Sequence, residues 1–378
     1  MTIIEATSAQ EWDQFLTRQQ FRPFLQSWTM GEVYRRIGQE PVRLMTGDVG
    51  GSSGICFAHV INAKRGRHLS IPYGPVIDWK IGGEKRRETA MLFLAELKKI
   101  AKGCRCSFIR LSPFWPKSEG SDATLRAMQT IHAPLHLLAE HLWYLPLTES
   151  DLWSSSSISC SGMPITDGRR QPSAAPRSEE ELMKSMRSTT RNLVRRAEKE
   201  GVTVTASDDP VRDLPVFLQL HEETRKRHRF TPYTDAFFLA QIEEFAKTGH
   251  SAPAGGNVIL YTARHNGKVI ASSVHMTFGG ETSYHHGASV MSKIPASYLL
   301  QWTAIRDALK RGDHVYNFWG IAPCGMENTK HPFSGVTLFK TGFGGKSMEL
   351  THCRDIPLSP KYYVTRGLEV MRKWHRGF

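Results

Sequence analysis

Lys340 is the one charged side chain in Ser334-Gly335-Val336-Thr337-Leu338-Phe339-Lys340-Thr341-Gly342-Phe343-Gly344-Gly345. The stretch reads as a short helical turn, capped by Ser334, that breaks into a glycine-rich loop before a strand from about Lys346. A lysine between Phe339 and Phe343, with three glycines at hand, is partly desolvated and has bare backbone amides nearby. Such a group suits an anion or a developing oxyanion. The same spacing also describes two core phenylalanines with Lys340 facing water. Residue types alone leave both readings open.

Other reactive groups are less organised. His285-His286-Gly287 sits in a strand pattern, where neighbouring side chains point to opposite faces, so at most one histidine can line a site. A structural role suits the pair better. The Gly-x-Ser-x-Gly string Gly50-Gly51-Ser52-Ser53-Gly54 joins two strands and so is no strand-to-helix nucleophile elbow, His-Glu-x-x-His is absent, and Gly342-Phe343-Gly344-Gly345-Lys346 lacks the spacing of a phosphate-binding lysine loop. Cys56, Cys104, Cys106, Cys160, Cys324 and Cys353 are scattered; one Cys-x-Cys without a second pair predicts no metal site.

The elements that position these residues come in two sets. A length of 378 residues with 40% hydrophobic content predicts two globular domains. The start, Met1 to Thr7, shows no basic region followed by an apolar run, and no apolar segment approaches the ~20 residues of a membrane span, so a cytoplasmic location is expected. The net charge of +13 favours phosphate-rich partners such as RNA, nucleotide-linked substrates or an anionic membrane face. The first half reads as helices, antiparallel strands at Pro41 to Thr46, Ile55 to Asn62 and His68 to Ile71, and then an amphipathic helix, Gly83 to Lys102. That helix would turn Met91, Leu92, Leu94, Ala95, Leu97 and Ile100 inward, and strands at Cys106 to Leu111 and Leu142 to Leu147 would complete the unit.

The second half repeats this order: a long helix from Ser178 to Glu200, two further helices, a hairpin turning at Asn266-Gly267, a third strand, a helix, a strand and the Lys340 turn. On the long helix Lys184, Arg187, Arg191 and Arg195 share a face with few acids, a natural contact for a polyanion and equally a solvated face. The expected class is α/β, with mixed, mainly antiparallel sheets. Residues 1–149 form the first domain, completed by 355–378; 150–177 are a Ser/Gly/Pro-rich flexible linker or insertion; 178–354 form the second domain. The basic helix from Lys361 docks back on the first.

Twin α/β units suggest acetyl-CoA-dependent N-acetyltransferases, which hold pyrophosphate with Arg/Gln-x-x-Gly-x-Gly/Ala at a helix start. The nearest string, Arg35-Arg36-Ile37-Gly38-Gln39-Glu40, ends in a carboxylate that would oppose phosphate, so coenzyme A is not expected. The run Arg187, Thr190, Arg191, Arg195, Ala197, Glu198, Lys199, Gly201, Val202 resembles the second-domain entry of the Fem family, the peptidoglycan bridge-forming aminoacyltransferases. So, in the same order along the chain, do Gln26-Ser27-Trp28, Gly74-Pro75-Val76-Ile77-Asp78, His221-Glu222-Glu223-Thr224 with Arg227 and Phe230, Leu299-Leu300-Gln301-Trp302, and Phe339-Lys340-x-Gly-Phe-Gly-Gly.

The resemblance implies two tandem acetyltransferase-like (GNAT-like) domains without coenzyme A. It implies transfer of an amino acid from aminoacyl-tRNA to a stem-peptide amine of a nucleotide- or lipid-linked muropeptide, with possible peripheral contact at the inner membrane face. It also implies catalytic roles for Lys340 and Phe339, precursor contacts at Arg227, Arg35 and Arg36, Tyr284 in the substrate cleft, and tRNA contact along Lys184, Arg187, Arg191 and Arg195. Two alternatives stand beside it: the same scaffold acylating an exopolysaccharide sugar or secondary-metabolite amine, and a non-catalytic RNA- or membrane-surface-binding protein.

Overall fold

The computed structural model describes residues 1–47, 51–63, 66–78, 80–149, 175–228, 233–248, 256–323, 325 and 331–376. Most of the 150–177 linker thus lies outside the described residues; at its end, Pro176 bridges to Thr148. Phe230 also falls outside. The described chain divides into two compact units, 1–140 with 349–376, and 141–149 with 175–348.

The first unit carries a sheet of β1 (Thr2–Glu5), β2 (Pro41–Gly47), β3 (Gly54–Ala63), β4 (Gly66–Tyr73), β6 (Phe108–Pro113), β15 (Arg354–Pro357) and β7 (Ile131–His132) in that order, with the short β5 (Val76–Ile77) on β3. The meander β2–β3–β4 is antiparallel; β4 and β6 run parallel because the helix α3 (Gly83–Gly103) intervenes and carries the chain back to the same end. Thr89, Ala90, Phe93, Leu94, Leu97 and Ala101 are the residues that α3 buries. Met91 and Ala95, expected inside, face water, since Phe93 and Leu97 centre the apolar arc about one residue away. The helices α1 (Ala9–Thr17) and α2 (Trp28–Arg36) begin at Ser8 and Ser27, whose hydroxyls accept from Glu11 N and Met30 N. Gln26 fixes them to the sheet. Its Nε2 donates to the carbonyls of Phe57 and Pro72, and its Oε1 accepts from Phe57 N at 2.8 Å. A side chain at Gly74 would collide with this amide, 2.7 Å from where a Cβ would stand. The short α4 (Glu119–Ala127) completes this part. The basic α11 (Lys361–Arg376) lies on the same unit: Arg110 of β6 pairs with Asp355 of β15 at 2.8 Å and with Glu369 of α11 at 2.7 Å, all three buried.

The second sheet runs β14 (Lys346–Glu349), β8 (His141–Pro146), β13 (Val315–Gly320), β12 (Glu281–Ser289), β11 (Lys268–Phe278), β10 (Asn257–His265), β9 (Thr203–Ala206). It repeats the plan of the first: an antiparallel meander β10–β11–β12, a crossover helix α9 (Ala296–Lys310), and β13 parallel to β12. Asn266 and Gly267 make the hairpin turn with φ of 49° and 76°. Here the structure corrects the sequence reading. The strand at Leu142 to Leu147 does not complete the first sheet; as β8 it pairs antiparallel with β13. In the first unit the matching place beside β6 is taken by β15. Alternation identifies a strand but not its partner, and each unit takes this strand from outside its own meander.

The long helix also divides. α5 (Glu179–Ser185) and α6 (Ser188–Lys199) are separated where Met186 turns to an extended ψ of 149°. The carbonyls freed at Met183, Lys184 and Met186 are taken by the guanidinium of Arg191, the last two at 2.9 Å. α7 (Pro210–His228) and α8 (Asp235–Thr248) flank the meander, and α10 (Ser334–Thr341) precedes β14. Mixed, mainly antiparallel sheets in an α/β chain are thus as expected.

Replacing Arg110 by Ala would strand two buried carboxylates, Asp355 and Glu369. The expected loss is about 3–5 kcal/mol of unfolding free energy, read as a lowered urea midpoint for the transition that includes the first unit.

Candidate active site

α10 places Lys340 on its inner side in its last turn, and the side chain is 7% exposed. Ser334 does not cap this helix; the N-cap position belongs to Phe333, with no side-chain cap bond. Thr337, one turn before Lys340, fixes the helix instead, its hydroxyl donating to Phe333 O at 2.8 Å and accepting from Ala322 N at 2.7 Å. The Lys340 Nζ donates to Gly320 O, at the end of β13, at 2.6 Å, and lies 5.6 Å from the centroid of the Tyr284 ring. Trp319, just before that carbonyl, adopts a left-handed φ of 65°, and the register of β13 against β8 slips between Asn317 and Gly320. A bulky residue in that conformation is held there by its surroundings; Trp319 N donates to Asn317 Oδ1 at 2.8 Å.

Burial pushes the Lys340 pKa down to about 7 from 10.5. An ammonium has three N–H donors, and Gly320 O takes one. The group therefore sits near its titration midpoint at neutral pH, with donors available to an incoming oxyanion.

Phe343 is a core residue and Phe339, partly buried, packs against the core, close to one of the two readings. Phe339 packs on Tyr298 of α9 at 4.9 Å and on Phe343 at 5.5 Å, and Phe343 is fully buried against Phe318. The second half of that reading fails, because Lys340 does not face water. The glycines have a packing role. A Cβ at Gly342 would stand 2.2 Å from Thr190 Oγ1, and one at Gly345, whose φ is 112°, would stand 2.3 Å from Tyr144 O. The loop thus lies hard against α6 and β8, and Trp143 Nε1 donates to Gly344 O at 2.7 Å.

Beside this centre β12 carries a bulge: Tyr284 faces His275 and His286 faces Val274, leaving His285 as the extra residue. The alternation expected for His285 and His286 is broken, and their rings meet at 3.9 Å. His286 packs on Phe238 at 4.7 Å and His285 on Trp319 at 5.1 Å; burial lowers both pKa values, that of His285 to about 3. The hydroxyl of Tyr284 occupies the place a Cβ at Gly287 would need. Behind Tyr284 runs a chain the sequence reading missed, His275 Nε2 to Tyr316 OH at 2.7 Å and Tyr316 OH to Gln301 Oε1 at 2.7 Å. Gln301 belongs to a recognised motif, but isolated residues such as His275 and Tyr316 carry no spacing signal.

The remaining expected residues are more dispersed. Arg227 donates to Ser289 O at 3.1 Å at the end of β12, where Thr224 also bonds. Arg35 is exposed and held by Glu32 and, at 2.9 Å, by Glu40; Arg36 is exposed beside it. This string closes α2 rather than opening a helix. Arg187 donates to Leu338 O and Thr341 Oγ1, bracing α10, and Arg191 caps α5, whereas Arg195 is exposed and Lys184 pairs with Glu180 on the surface. Among the described residues no cluster could hold a metal ion, and no helix is long and apolar enough to cross a membrane.

Residues 7–135 match the FemAB family, and residues 184–330 match the acetyltransferase (GNAT) domain. The chain is 21% identical to the aminoacyltransferase FemA of Staphylococcus epidermidis over 363 residues, covering 79% of this chain and 82% of that protein. The crystal structure of FemX superposes with a TM-score of 0.74 at 17% identity, across 96% of this chain and 99% of the other. The likeness to the FemAB family is carried by the first part of the chain, residues 7–135. A tandem GNAT protein from the clavulanic acid biosynthesis pathway shares the fold more distantly, with a TM-score of 0.53 at 12% identity over 95% and 98% of the two chains. The two repeated sheets are thus two GNAT-like units.

The depressed Lys340 pKa has a testable sign. Unfolded, the amine titrates near 10.5; folded, near 7, so between these values the unfolded chain binds more protons and stability rises with pH. Below about pH 7 the full cost of burying the ammonium is present. Lys340→Met should therefore gain stability relative to wild type as pH falls from about 10.5 to about 7, with no further gain below, as read from urea denaturation at a series of pH values.

Proposed function

We propose that this chain transfers an amino acid from aminoacyl-tRNA to an amine of a peptidoglycan-precursor stem peptide. The observation that carries this reading is the desolvated Lys340 ammonium, held by Gly320 O beside the Tyr284 ring. An aminoacyl ester is already activated, so a neutral amine attacks its carbonyl without a protein nucleophile. The C–N bond forms as the carbonyl electrons move to oxygen; the ribose oxygen then leaves with a proton that originates on the attacking amine. The Lys340 N–H groups stabilise the oxyanion between these events, in a site where little water competes.

In this mechanism Phe339 is a positioning residue that locks α10 against α9. Tyr284 borders the reacting groups, and Arg227 meets the precursor's phosphates. Of the basic face, Lys184 and Arg195 serve tRNA, while Arg187 and Arg191 mainly hold α5, α6 and α10 together. Coenzyme A has no place in the reaction. The loop before α9, where a GNAT-like unit would seat pyrophosphate, commits Ile294 N to Ser292 Oγ, and Pro295 has no N–H to give. The family resemblance and the likeness to the aminoacyltransferase FemA support the reading.

Incubation with mixed charged tRNA and muropeptide precursor should add one aminoacyl mass to the precursor. Lys340→Met should lower that yield by at least ~100-fold with unchanged circular dichroism. Absence of any adduct with any precursor amine contradicts the proposal. Separately, Lys184→Glu/Arg195→Glu should weaken tRNA binding and reduce its salt slope by about 2, measured by filter binding across salt concentrations.

A further inference from the structure

α11 is oriented against the usual rule for a surface helix. It docks on the first sheet through Tyr362, Thr365 and Glu369, at i, i+3 and i+7, and Glu369 is anchored on Arg110. The apolar residues point away. Tyr363, Val364, Leu368, Val370, Met371 and Trp374 are all exposed, Val364 at 68% and Trp374 at 83%. At 100° per residue they occupy one continuous arc opposite the docked stripe. Lys361 and Lys373, also exposed, fall at its two borders, with Arg372 and Arg366 beside them. Arg366 is anchored inward on His132 O and Tyr362 OH.

We propose that this face docks on an anionic lipid bilayer, lying in the interface with Trp374 and Met371 inserted and the lysines among the headgroups. The arc is convex and carries Trp and Tyr, which favour the boundary between apolar and wet surroundings. Charge selects the occupant. Glu369 is the only acid between residues 361 and 376 and is engaged by Arg110, so the charges this helix exposes beside its apolar arc are all basic. Pairing two copies would set cations against cations; an anionic membrane surface complements them. The helix lies on the bilayer rather than spanning it, since among the described residues none is long and apolar enough to cross. The proposal stands on this helix alone and is independent of which acceptor the chain modifies.

The test is flotation of the full chain with vesicles of phosphatidylcholine, with or without phosphatidylglycerol, and no cell-wall precursor present. The wild type should float with the anionic vesicles and be released by high salt. Met371→Ser/Trp374→Ser should lower the partition coefficient roughly 10- to 100-fold, and Lys361→Glu/Lys373→Glu roughly 10-fold or more. All four positions are exposed, so circular dichroism and the thermal midpoint should not move. A wild type that stays with the aqueous phase overturns the proposal, as does flotation that both double variants leave intact. A dimer in sedimentation velocity that Met371→Ser/Trp374→Ser converts to monomer assigns the face to a second copy and also overturns it.

Discussion

Keeping an ammonium group out of water with one carbonyl as its direct partner among the described residues is the constraint on which the second unit depends. Burial of Lys340 is unfavourable in itself, and its neighbourhood is organised to hold it. Gly320 O is presented by a strand end at which Trp319 takes a left-handed turn. α10 is held at Thr337, at Phe343 and through Arg187, and its glycine exit lies too close to Thr190 and Tyr144 for any side chain. The Tyr284 ring stands over Nζ, and Gly287 leaves room for its hydroxyl. Each of these features is local, and each acts on the position of one nitrogen.

The two units show how one plan serves different ends. Both have a meander, a crossover helix and a parallel return strand. In the first, two buried polar groups are enclosed by their partners. Gln26 satisfies backbone groups on two strands, and Arg110 is enclosed by two carboxylates. In the second, the buried lysine keeps donor capacity. A group so placed has its proton affinity set by the protein near neutrality, where it can hold a proton at rest and respond to a nearby anion.

Much of this was legible in the sequence because it is local. The Asn266-Gly267 turn and the strands at Pro41 to Thr46, Ile55 to Asn62 and His68 to Ile71 translate directly into the elements found. The unusual surroundings of Lys340 were legible from its flanking phenylalanines and glycines, although the glycines serve close packing. What escaped was non-local or broken in period. No pattern announces that β8 joins the second sheet, that Arg191 closes α5, or that a bulge brings His285 and His286 to the same side. The short β1 and β9 are rich in β-branched residues but too short to show a period, and their pairing with β2 and β10 defines them.

The central claim is that the Lys340 proton is used when the ester gives way to an amine. The most direct measurement is kcat/KM for aminoacyl transfer against pH in wild type and Lys340→Met, since that profile reports ionisations of the free enzyme. With Lys340 as the oxyanion's partner, the wild type shows a limb that falls above about pH 7, and the variant, far slower throughout, lacks it. A variant with the wild-type rate and the same falling limb contradicts the account.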